Sequence, residues 1–212
     1  MKLRQLPETV VNRIAAGEVV ERPASVVKEL VENAIDAGAR RIDIVMSDGG
    51  RSLISVTDDG RGMDRDELML CIERHATSKL PSDDLLDIQY LGFRGEALPS
   101  IASISRTSIS SRRSDEDGTL ADDAWELAVA GGIKSELRPS SLAAGTRIEV
   151  RDLFFATPAR LKFLKAERTE FGHALDAVKR LAMAHPDIAF SVSDGERTAL
   201  RLRTANADLF EA

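Results

Sequence analysis

The sequence has little cysteine and few aromatic residues, and it lacks any long apolar run. Its single cysteine, Cys71, excludes an internal disulfide and is typical of a protein from a reducing compartment. No stretch approaches the roughly 18–20 apolar residues that a membrane-spanning helix needs. The first residues also lack the apolar core of a secretory signal peptide. These absences predict a cytosolic or nuclear protein that does not span a membrane.

An excess of basic residues is also missing, since the formal net charge is −6. Domains that bind DNA strongly are usually basic, so any contact with nucleic acid must be weak or use a local patch. One candidate patch consists of Arg160, Lys162, Lys165 and Arg168. A solvated helix face would carry the same residues, so both interpretations stay open. The second basic cluster, Arg106, Arg112 and Arg113, lies at the end of a predicted strand and is unremarkable.

The hydrophobic periodicity predicts an α+β fold. Apolar residues with helical spacing predict helices at 25–37 and 167–184, with shorter ones at 64–74, at 96–103 and after Pro158. Alternating patterns predict about eight strands, at 41–47, 52–58, 105–111, 125–130, 133–138, 146–151, 188–193 and 198–202. Helices and strands do not alternate regularly, and neither a Walker A motif nor GxGxxG is present. We therefore expect a two-layer sandwich, a mostly antiparallel mixed sheet with helices on one face.

The helix predicted at 25–37 carries polar residues along one margin of its apolar face. Glu29, Asn33 and Asp36 fall together there, at positions i, i+4 and i+7. A partly desolvated carboxylate at such a border can act as a general base. An amide oxygen beside it is a hard ligand suited to Mg²⁺. A polar helix edge without function would look the same, so this pattern alone does not decide.

Two glycine-rich segments follow this helix. Asp58 ends a predicted strand and precedes Gly60 and Gly62. Glycines there let a ligand approach the backbone closely, and the acid can accept a hydrogen bond from the exocyclic amine of a base. Gly92 and Gly95 precede a predicted helix, whose free N–H groups and dipole favour phosphate. An ordinary Asp-Gly turn and a flexible loop before a helix remain the alternatives. Taken alone, neither segment decides between these interpretations.

The order of these three elements resembles that of MutL-type DNA mismatch-repair proteins. Four longer stretches carry the resemblance: 14–38, 74–79 (RHATSK), 92–98 (GFRGEAL) and 152–160 (DLFFATPAR). It extends from about residue 3 to about residue 203. The resemblance implies the N-terminal ATPase domain of this family, with the GHKL (Bergerat) ATP-binding fold. It also implies ATP and Mg²⁺ as the cofactors of a slow ATPase.

The resemblance further implies roles for individual residues. Glu29 matches the general base that activates the attacking water, and Asn33 matches the protein ligand of Mg²⁺. Asp58 matches the adenine-reading acid, helped through water by Thr146, while Gly60 and Gly62 shape the adenine pocket. The ATP lid would contact the phosphates through Thr77, Ser78, Lys79, Gly92, Phe93, Arg94, Gly95, Glu96, Ala97 and Leu98.

Two neighbours of these residues need a separate expectation. His75 precedes the Thr-Ser-Lys run, and we expect a structural role for it rather than proton transfer. Many relatives carry Asn where this chain has Asp59, which predicts at most a modest change of charge in the adenine pocket.

Domain organisation and partners follow from the same resemblance. We expect an ATPase domain at 1–203, with an N-terminal arm (1–20) and an ATP lid (76–98). Residues 204–212 would begin a linker to a second subdomain that supplies a lysine to the γ-phosphate, so turnover without it would be weak.

The family implies nucleotide-driven lid ordering, self-association of two N-terminal domains, weak DNA binding through the full-length dimer, and a MutS-type partner. Its setting would be the bacterial cytoplasm, near the nucleoid, or a eukaryotic nucleus.

Two other functions compete with this interpretation. The first is a topoisomerase ATPase domain of the same superfamily, against which the motifs at 92–98 and 152–160 argue. The second is a DNA-binding or scaffolding module with a degenerate pocket. The joint presence of Glu29, Asn33 and Asp58 argues against degeneration.

Overall fold

The structure, a computed structural model, describes residues 3–77, 95–115 and 117–204. Its helices are α1 (Glu8–Val19), α2 (Pro23–Asp36), α3 (Arg65–Leu70), α4 (Ala97–Ile104) and α5 (Glu167–Ala184), with short 3-10 helices at Asp48–Gly50 and Pro158–Phe163. Its strands are β1 (Arg41–Ser47), β2 (Leu53–Asp58), β3 (Arg106–Arg112), β4 (Ala124–Ala130), β5 (Ile133–Lys134), β6 (Arg138–Ser140), β7 (Gly145–Arg151), β8 (Ala189–Ser193) and β9 (Thr198–Leu202). Within these described ranges, no helix is long and apolar enough to cross a membrane.

The strands of the described residues form one nine-stranded sheet, in the order β5-β4-β3-β7-β2-β1-β8-β9, with β6 also paired to β4. β1 and β8 run parallel, and the other pairs are antiparallel. The predicted α+β class with a mostly antiparallel mixed sheet is therefore confirmed. The strand expected at 133–138 is instead divided into β5 and β6, which pair with opposite ends of β4 and give nine strands rather than eight.

Alternation along the central strands gives the sheet one apolar face and one polar face. Ile44, Val56, Ile148 and Ile109 are neighbours in one row of that apolar face. The next row along the same face contains Ile42, Asp58, Thr146 and Ser111 in succession. The strand register therefore places three polar side chains at the margin of the core, next to the apolar row.

Helix α2 packs its apolar stripe against this face and against α5. Pro23 occupies its first turn, where a missing N–H costs nothing. Gly38 follows the helix with a φ of 75°, and its N–H bonds to the Ile35 carbonyl. This left-handed residue ends the helix, as glycine commonly does. The helix predicted at 25–37 is thus confirmed, with both bounds shifted slightly toward the N-terminus.

Helix α1 was not predicted from the sequence, and it involves one residue of the first candidate basic patch. α1 packs on α4, and the Arg160 guanidinium donates hydrogen bonds to the carbonyls of Gly17 (2.9 Å) and Val20 (3.0 Å). A Cβ at Gly17 would lie 2.1 Å from Arg160 Nη2, so only glycine leaves room for this contact. Arg160 therefore stabilises the C-terminal end of α1 and does not belong to an open basic patch.

The second basic cluster is also engaged in structural contacts. Arg106 pairs with Asp152 at 2.8 Å and stacks over the Phe155 ring at 4.2 Å. Arg113 pairs with Glu67 at 2.8 Å, and Arg112 donates to the Ala121 carbonyl. These contacts agree with the view that the three arginines are unremarkable.

Candidate functional site

A cavity of about 550 Å³ lies between α2, α4 and the margin of the apolar face of the sheet. This size lies within the range of small-molecule pockets. One side, here called the sheet wall, consists of Asp58, Gly62 and Thr146, with Gly60 and Ser111 behind them. The other side, here called the helix wall, consists of Glu29, Asn33, Asp36, Thr77 and residues 95–98.

Asp58 is the buried acid of the sheet wall. It ends β2, is 8% exposed, and its Oδ1 accepts the Gly60 N–H at 2.9 Å. Burial raises the pKa of Asp58 to about 6, although the N–H groups of Gly60 and Thr146 lower it, and the nearby Asp59 charge raises it slightly. A carboxylate in this position accepts hydrogen bonds strongly, so it suits a ligand that presents an N–H donor.

The two glycines after Asp58 are required by close approach. A Cβ at Gly62 would lie 2.1 Å from the Arg112 carbonyl oxygen, and its φ of 65° is left-handed. A Cβ at Gly60 would lie 2.8 Å from the Ala37 carbonyl oxygen and 3.0 Å from Asp58 Oδ1. The loop is therefore pressed against both α2 and β3, which fixes the position of the carboxylate.

Asp59 is oriented away from the cavity. Its Oδ1 accepts the backbone N–H groups of Arg40 at 2.7 Å and Arg41 at 2.8 Å. The side chain thus ties the end of β2 to the start of β1, and it influences Asp58 only through its charge. This placement agrees with the modest effect on pocket charge that the sequence predicts.

Thr146 and Ser111 form a buried hydroxyl pair at the sheet wall. Their oxygens lie 2.9 Å apart, and Thr146 lines the cavity while Ser111 lies behind it. Sequence reasoning identified Thr146 and missed Ser111, because nothing in a run of strand serines distinguishes the one that meets Thr146. The register of β3 with β7, which pairs these two residues, is the missing information.

Glu29, Asn33 and Asp36 all line the cavity, as their common margin on the predicted helix requires. The Glu29 side chain is 26% exposed, and its Oε1 lies 3.4 Å from Lys28 Nζ. Lys28 bonds more closely to Glu32, at 2.8 Å. A half-buried carboxylate that reaches both solvent and the cavity can take a proton from a water and pass it on.

The rest of the helix wall comes from the chain on either side of residues 78–94. Thr77, Gly95, Glu96, Ala97 and Leu98 line the cavity, the last two within the first turn of α4. The predicted site residues Ser78, Lys79, Gly92, Phe93 and Arg94 lie outside the described residues.

Contacts of Gly95 with Ala76 and of Glu96 with His75 fix the start of α4. A Cβ at Gly95 would lie 2.4 Å from the Ala76 carbonyl oxygen, and its φ is 61°. His75 also has a positive φ, 63°, and its Nδ1 lies 3.8 Å from Glu96 Oε1. The two chain segments therefore touch beside the cavity.

The donor atoms of the helix wall suit a hard cation only when a ligand contributes further oxygens. Among the described residues, no group of three or more His, Cys, Asp or Glu side chains could hold a metal ion. Asn33 offers an amide oxygen beside the carboxylates of Glu29 and Asp36 on the same helix. Mg²⁺ commonly uses one or two protein oxygens together with phosphate and water. The helix wall fits that arrangement.

Cys71 also lines the cavity, but its thiol is unreactive. Burial raises the pKa of its thiol to about 12, and its Sγ contacts the Leu68 carbonyl oxygen at 3.2 Å. A thiol that stays protonated at neutral pH is a poor nucleophile. The cysteine is therefore part of the packing of the pocket.

The chain shows clear similarity to known proteins. A family model described as "Histidine kinase-, DNA gyrase B-, and HSP90-like ATPase" matches residues 21–138. The DNA mismatch repair protein MutL of Rhodospirillum rubrum is 66% identical over 212 residues, which cover all of this chain and 33% of that protein. MutL of Paramagnetospirillum magneticum is 66% identical over 202 residues, 95% of this chain and 32% of that protein. The chain thus spans about a third of the length of the curated relatives it matches.

Solved structures give the same picture. The Aquifex aeolicus MutL ATPase domain complexed with ADP superposes with a TM-score of 0.72 at 32% identity, covering 88% of this chain and 65% of that one. The N-terminal domain of a DNA repair protein superposes with a TM-score of 0.75 at 30% identity, covering 92% of this chain and 57% of the other.

Proposed function

Because the chain belongs to the family of histidine kinase-, DNA gyrase B- and HSP90-like ATPases, and within it to the MutL proteins, we propose that it binds ATP in this cavity and hydrolyses it slowly. One observation carries the proposal. A single cavity joins a buried acceptor, Asp58, to a helix margin that offers a carboxylate and an amide, Glu29 and Asn33.

The sheet wall would bind the base. Asp58 accepts a hydrogen bond from the 6-amino group of adenine, and Thr146 stands next to it on β7. Gly60 and Gly62 let the flat ring approach the backbone. The Aquifex aeolicus MutL ATPase domain, which shares this fold, has been solved in complex with ADP. This complex supports a nucleotide as the ligand.

The helix wall would bind the phosphates and Mg²⁺. Asn33 would hold the cation through its amide oxygen, with phosphate oxygens and water as further ligands, and a cation there would supply neutralisation of phosphate charge. The first turn of α4 and Thr77 supply hydrogen-bond donors to the phosphate oxygens. Ser78, Lys79, Gly92, Phe93 and Arg94, which the family motif includes, would complete this contact.

Glu29 would be the general base. Its carboxylate would accept a proton from the water as the water oxygen bonds to the γ-phosphorus. The bond between that phosphorus and the bridging oxygen breaks, and its electron pair leaves with ADP. Glu29 faces the cavity from the same helix that carries Asn33, one turn away. Base and cation ligand are thereby held in a fixed relation by the backbone of α2.

The wider role rests on family membership. We propose that nucleotide orders the lid (76–98) and promotes association of two such domains, with the arm (1–20) contributing. In the full-length protein this state would couple mismatch recognition by a MutS-type partner to repair on DNA. The division into an ATPase domain (1–203) and the start of a linker (204–212) belongs to the same proposal.

Calorimetric titration tests the nucleotide site. The chain is titrated with ADP and with a non-hydrolysable ATP analogue, each with and without Mg²⁺. We expect saturable binding that Asp58→Ala abolishes, because the base loses its buried acceptor. Mg²⁺ should strengthen binding of the ATP analogue in the unchanged chain and not in Asn33→Ala.

Asp43→Ala is the matched control, since Asp43 lies on β1 and pairs with Thr57 on the polar face of the sheet. It should bind nucleotide like the unchanged chain. Absence of binding in a chain that keeps its secondary structure contradicts the proposal. Equal loss in both aspartate variants would instead indicate damage to the sheet.

A further inference from the structure

Ser111 lies behind the sheet wall and makes three contacts with two other segments of the chain. It is fully buried on β3 and does not line the cavity. Its Oγ lies 2.8 Å from the Met63 nitrogen, 3.1 Å from the Gly145 carbonyl oxygen and 2.9 Å from Thr146 Oγ1. The hydroxyl is thus the meeting point of β3, β7 and the loop that follows Asp58.

Counting hydrogens determines the direction of these bonds. A serine hydroxyl has one hydrogen to donate and two lone pairs to accept with. The Met63 N–H can only donate to Ser111, and the Gly145 carbonyl can only accept from it. Only one arrangement therefore satisfies all three contacts: Ser111 donates its hydrogen to Gly145, and its remaining lone pair accepts the hydrogen of Thr146. All three contacts are satisfied in this arrangement, as buried polar groups require.

The same count determines what Thr146 offers to the cavity. Its hydrogen is used by Ser111, so its Oγ1 can offer only lone pairs to a ligand in the cavity that Thr146 lines. Asp58, its neighbour in the sheet register, is likewise an acceptor when ionised. The sheet wall therefore presents acceptors side by side. A 6-amino purine supplies donors to such a wall, whereas a 6-oxo purine places an acceptor against it.

We propose that Ser111 is a positioning residue for base recognition, because it holds the Thr146 hydroxyl hydrogen away from the cavity and so favours a 6-amino over a 6-oxo purine nucleotide. This inference rests on the proposed nucleotide site. Ser111→Ala removes the acceptor for Thr146, whose hydrogen is then free to turn into the cavity. Thr146 becomes a donor that can serve a 6-oxo group.

The test measures the dissociation constants of ADP and inosine diphosphate, which differ at the 6-position and N1 of the purine. We expect the unchanged chain to prefer ADP, and Ser111→Ala to reduce the ratio of the two constants about fivefold, the worth of one hydrogen bond. Ser111→Cys keeps a donor but accepts weakly, so its ratio should lie between the two. This variant also decides the matter if Ser111→Ala does not fold.

Ser110→Ala is the matched control. Ser110 is the adjacent residue of β3, is also buried, and bonds instead to Glu126 at 3.2 Å. Its ratio should equal that of the unchanged chain. Loss of affinity by the same factor for both nucleotides in Ser111→Ala overturns the proposal, since a purely structural role predicts that result.

Two outcomes with the unchanged chain separate this inference from the function on which it rests. Equal binding of ADP and inosine diphosphate overturns the role of Ser111 while the nucleotide site stands. Binding of neither nucleotide overturns the proposed function and this inference with it.

Discussion

The two walls of the cavity hold their carboxylates in different ways. Asp58 on the sheet wall is 8% exposed and is bonded by backbone N–H groups of a pressed loop and a neighbouring strand. Glu29 on the helix wall has a side chain that is 26% exposed, and its nearest charged neighbour is the half-exposed Lys28. One acid is fixed by the sheet, and the other keeps access to water.

In the proposed function, this difference separates recognition of the base from hydrolysis of the nucleotide. Choosing a base needs an acceptor that stays in place before the ligand arrives, which the strand register provides. Activating a water needs a carboxylate that a solvent molecule can reach, which the helix margin provides. The sheet wall therefore carries a cost of burial at Asp58.

Exchanging the acid of the helix wall should have the largest effect. We expect Glu29→Gln to reduce the rate constant of hydrolysis by about 10²–10⁴-fold, because the water loses its base. ADP affinity should stay within about threefold, since the sheet wall is unchanged. Phosphate release under single-turnover conditions, combined with titration, measures both quantities.

Glu32→Gln is the control for this exchange. Glu32 lies on the same helix and bonds to the same lysine, but it does not line the cavity. A comparable loss of rate in Glu32→Gln would mean that the Lys28 contacts, rather than Glu29 itself, determine turnover.

Exchanging the acid of the sheet wall should trade binding for stability. We expect Asp58→Asn to weaken ADP about 100-fold, because its NH₂ group would face the donor amine of the base. The same variant should unfold at a higher temperature at pH 7.5, because it removes a charge that burial disfavours. Thermal unfolding without ligand measures this, and the gain should shrink at pH 5. A lower unfolding temperature at both pH values would contradict this account of Asp58.

Filling the space at Gly62 should damage the sheet wall through its backbone. Gly62→Ala should lower the free energy of unfolding by about 2–4 kcal/mol, since its left-handed φ and its contact with the Arg112 carbonyl both oppose a side chain. Gly172→Ala in α5 is the opposite case, because nothing lies within 4 Å of its Cβ position. That change should stabilise the helix by about 0.5–1 kcal/mol. Denaturant unfolding compares the two, and equal effects would exclude close approach as the cause.

Lowering the pH should affect the sheet wall in two opposite directions. Burial raises the pKa of Asp58 from 3.8 to about 6, so ADP affinity should fall about tenfold per pH unit below pH 6, as the acceptor becomes protonated. Its contribution to stability has the other sign: it is fully present below pH 4 and is lost as the pH rises through 6. Titrations between pH 5 and 8 test the first point, and ADP binding near pH 6 should release protons. An unchanged affinity across this range would contradict it.

Exchanging Asp59 should have the smallest effect. We expect Asp59→Asn to change ADP affinity less than about twofold, because an amide oxygen still accepts the N–H groups of Arg40 and Arg41. Asp59→Ala, which removes both bonds, should cost about 1–2 kcal/mol of stability. A large change of affinity in the asparagine variant would show that Asp59 acts directly on the base.

Sequence patterns predicted the elements that local periodicity encodes. The polar margin of α2 and the acid at the end of β2 follow from spacing within one helix and one strand, and the structure places both at one cavity. The roles of Glu29, Asn33 and Asp58 in catalysis and binding stay predictions, because they depend on a ligand. Helix α3, expected to reach about residue 74, ends at Leu70.

What the sequence did not predict depends on contacts between distant segments. α1 has Val11 and Ile14 exposed, so its apolar pattern is weak, and part of its support comes from Arg160 far along the chain. Ser111 acquires its partners only through the pairing of β3 with β7. Ser111 has the same residue type as its neighbour Ser110, and Arg160 is one of several basic residues between 160 and 168, so local patterns could not distinguish either residue.

The register of β7 has a consequence for how the protein is made. Asp58, Thr146 and Ser111 become neighbours only when β7 enters the sheet between β2 and β3, strands that a ribosome completes much earlier. A shift of β7 by one residue would point Thr146 outward and Arg147 into the pocket. Nucleotide affinity is therefore a sensitive reporter of correct strand insertion, and a chain under synthesis should acquire it abruptly, after β7 has emerged.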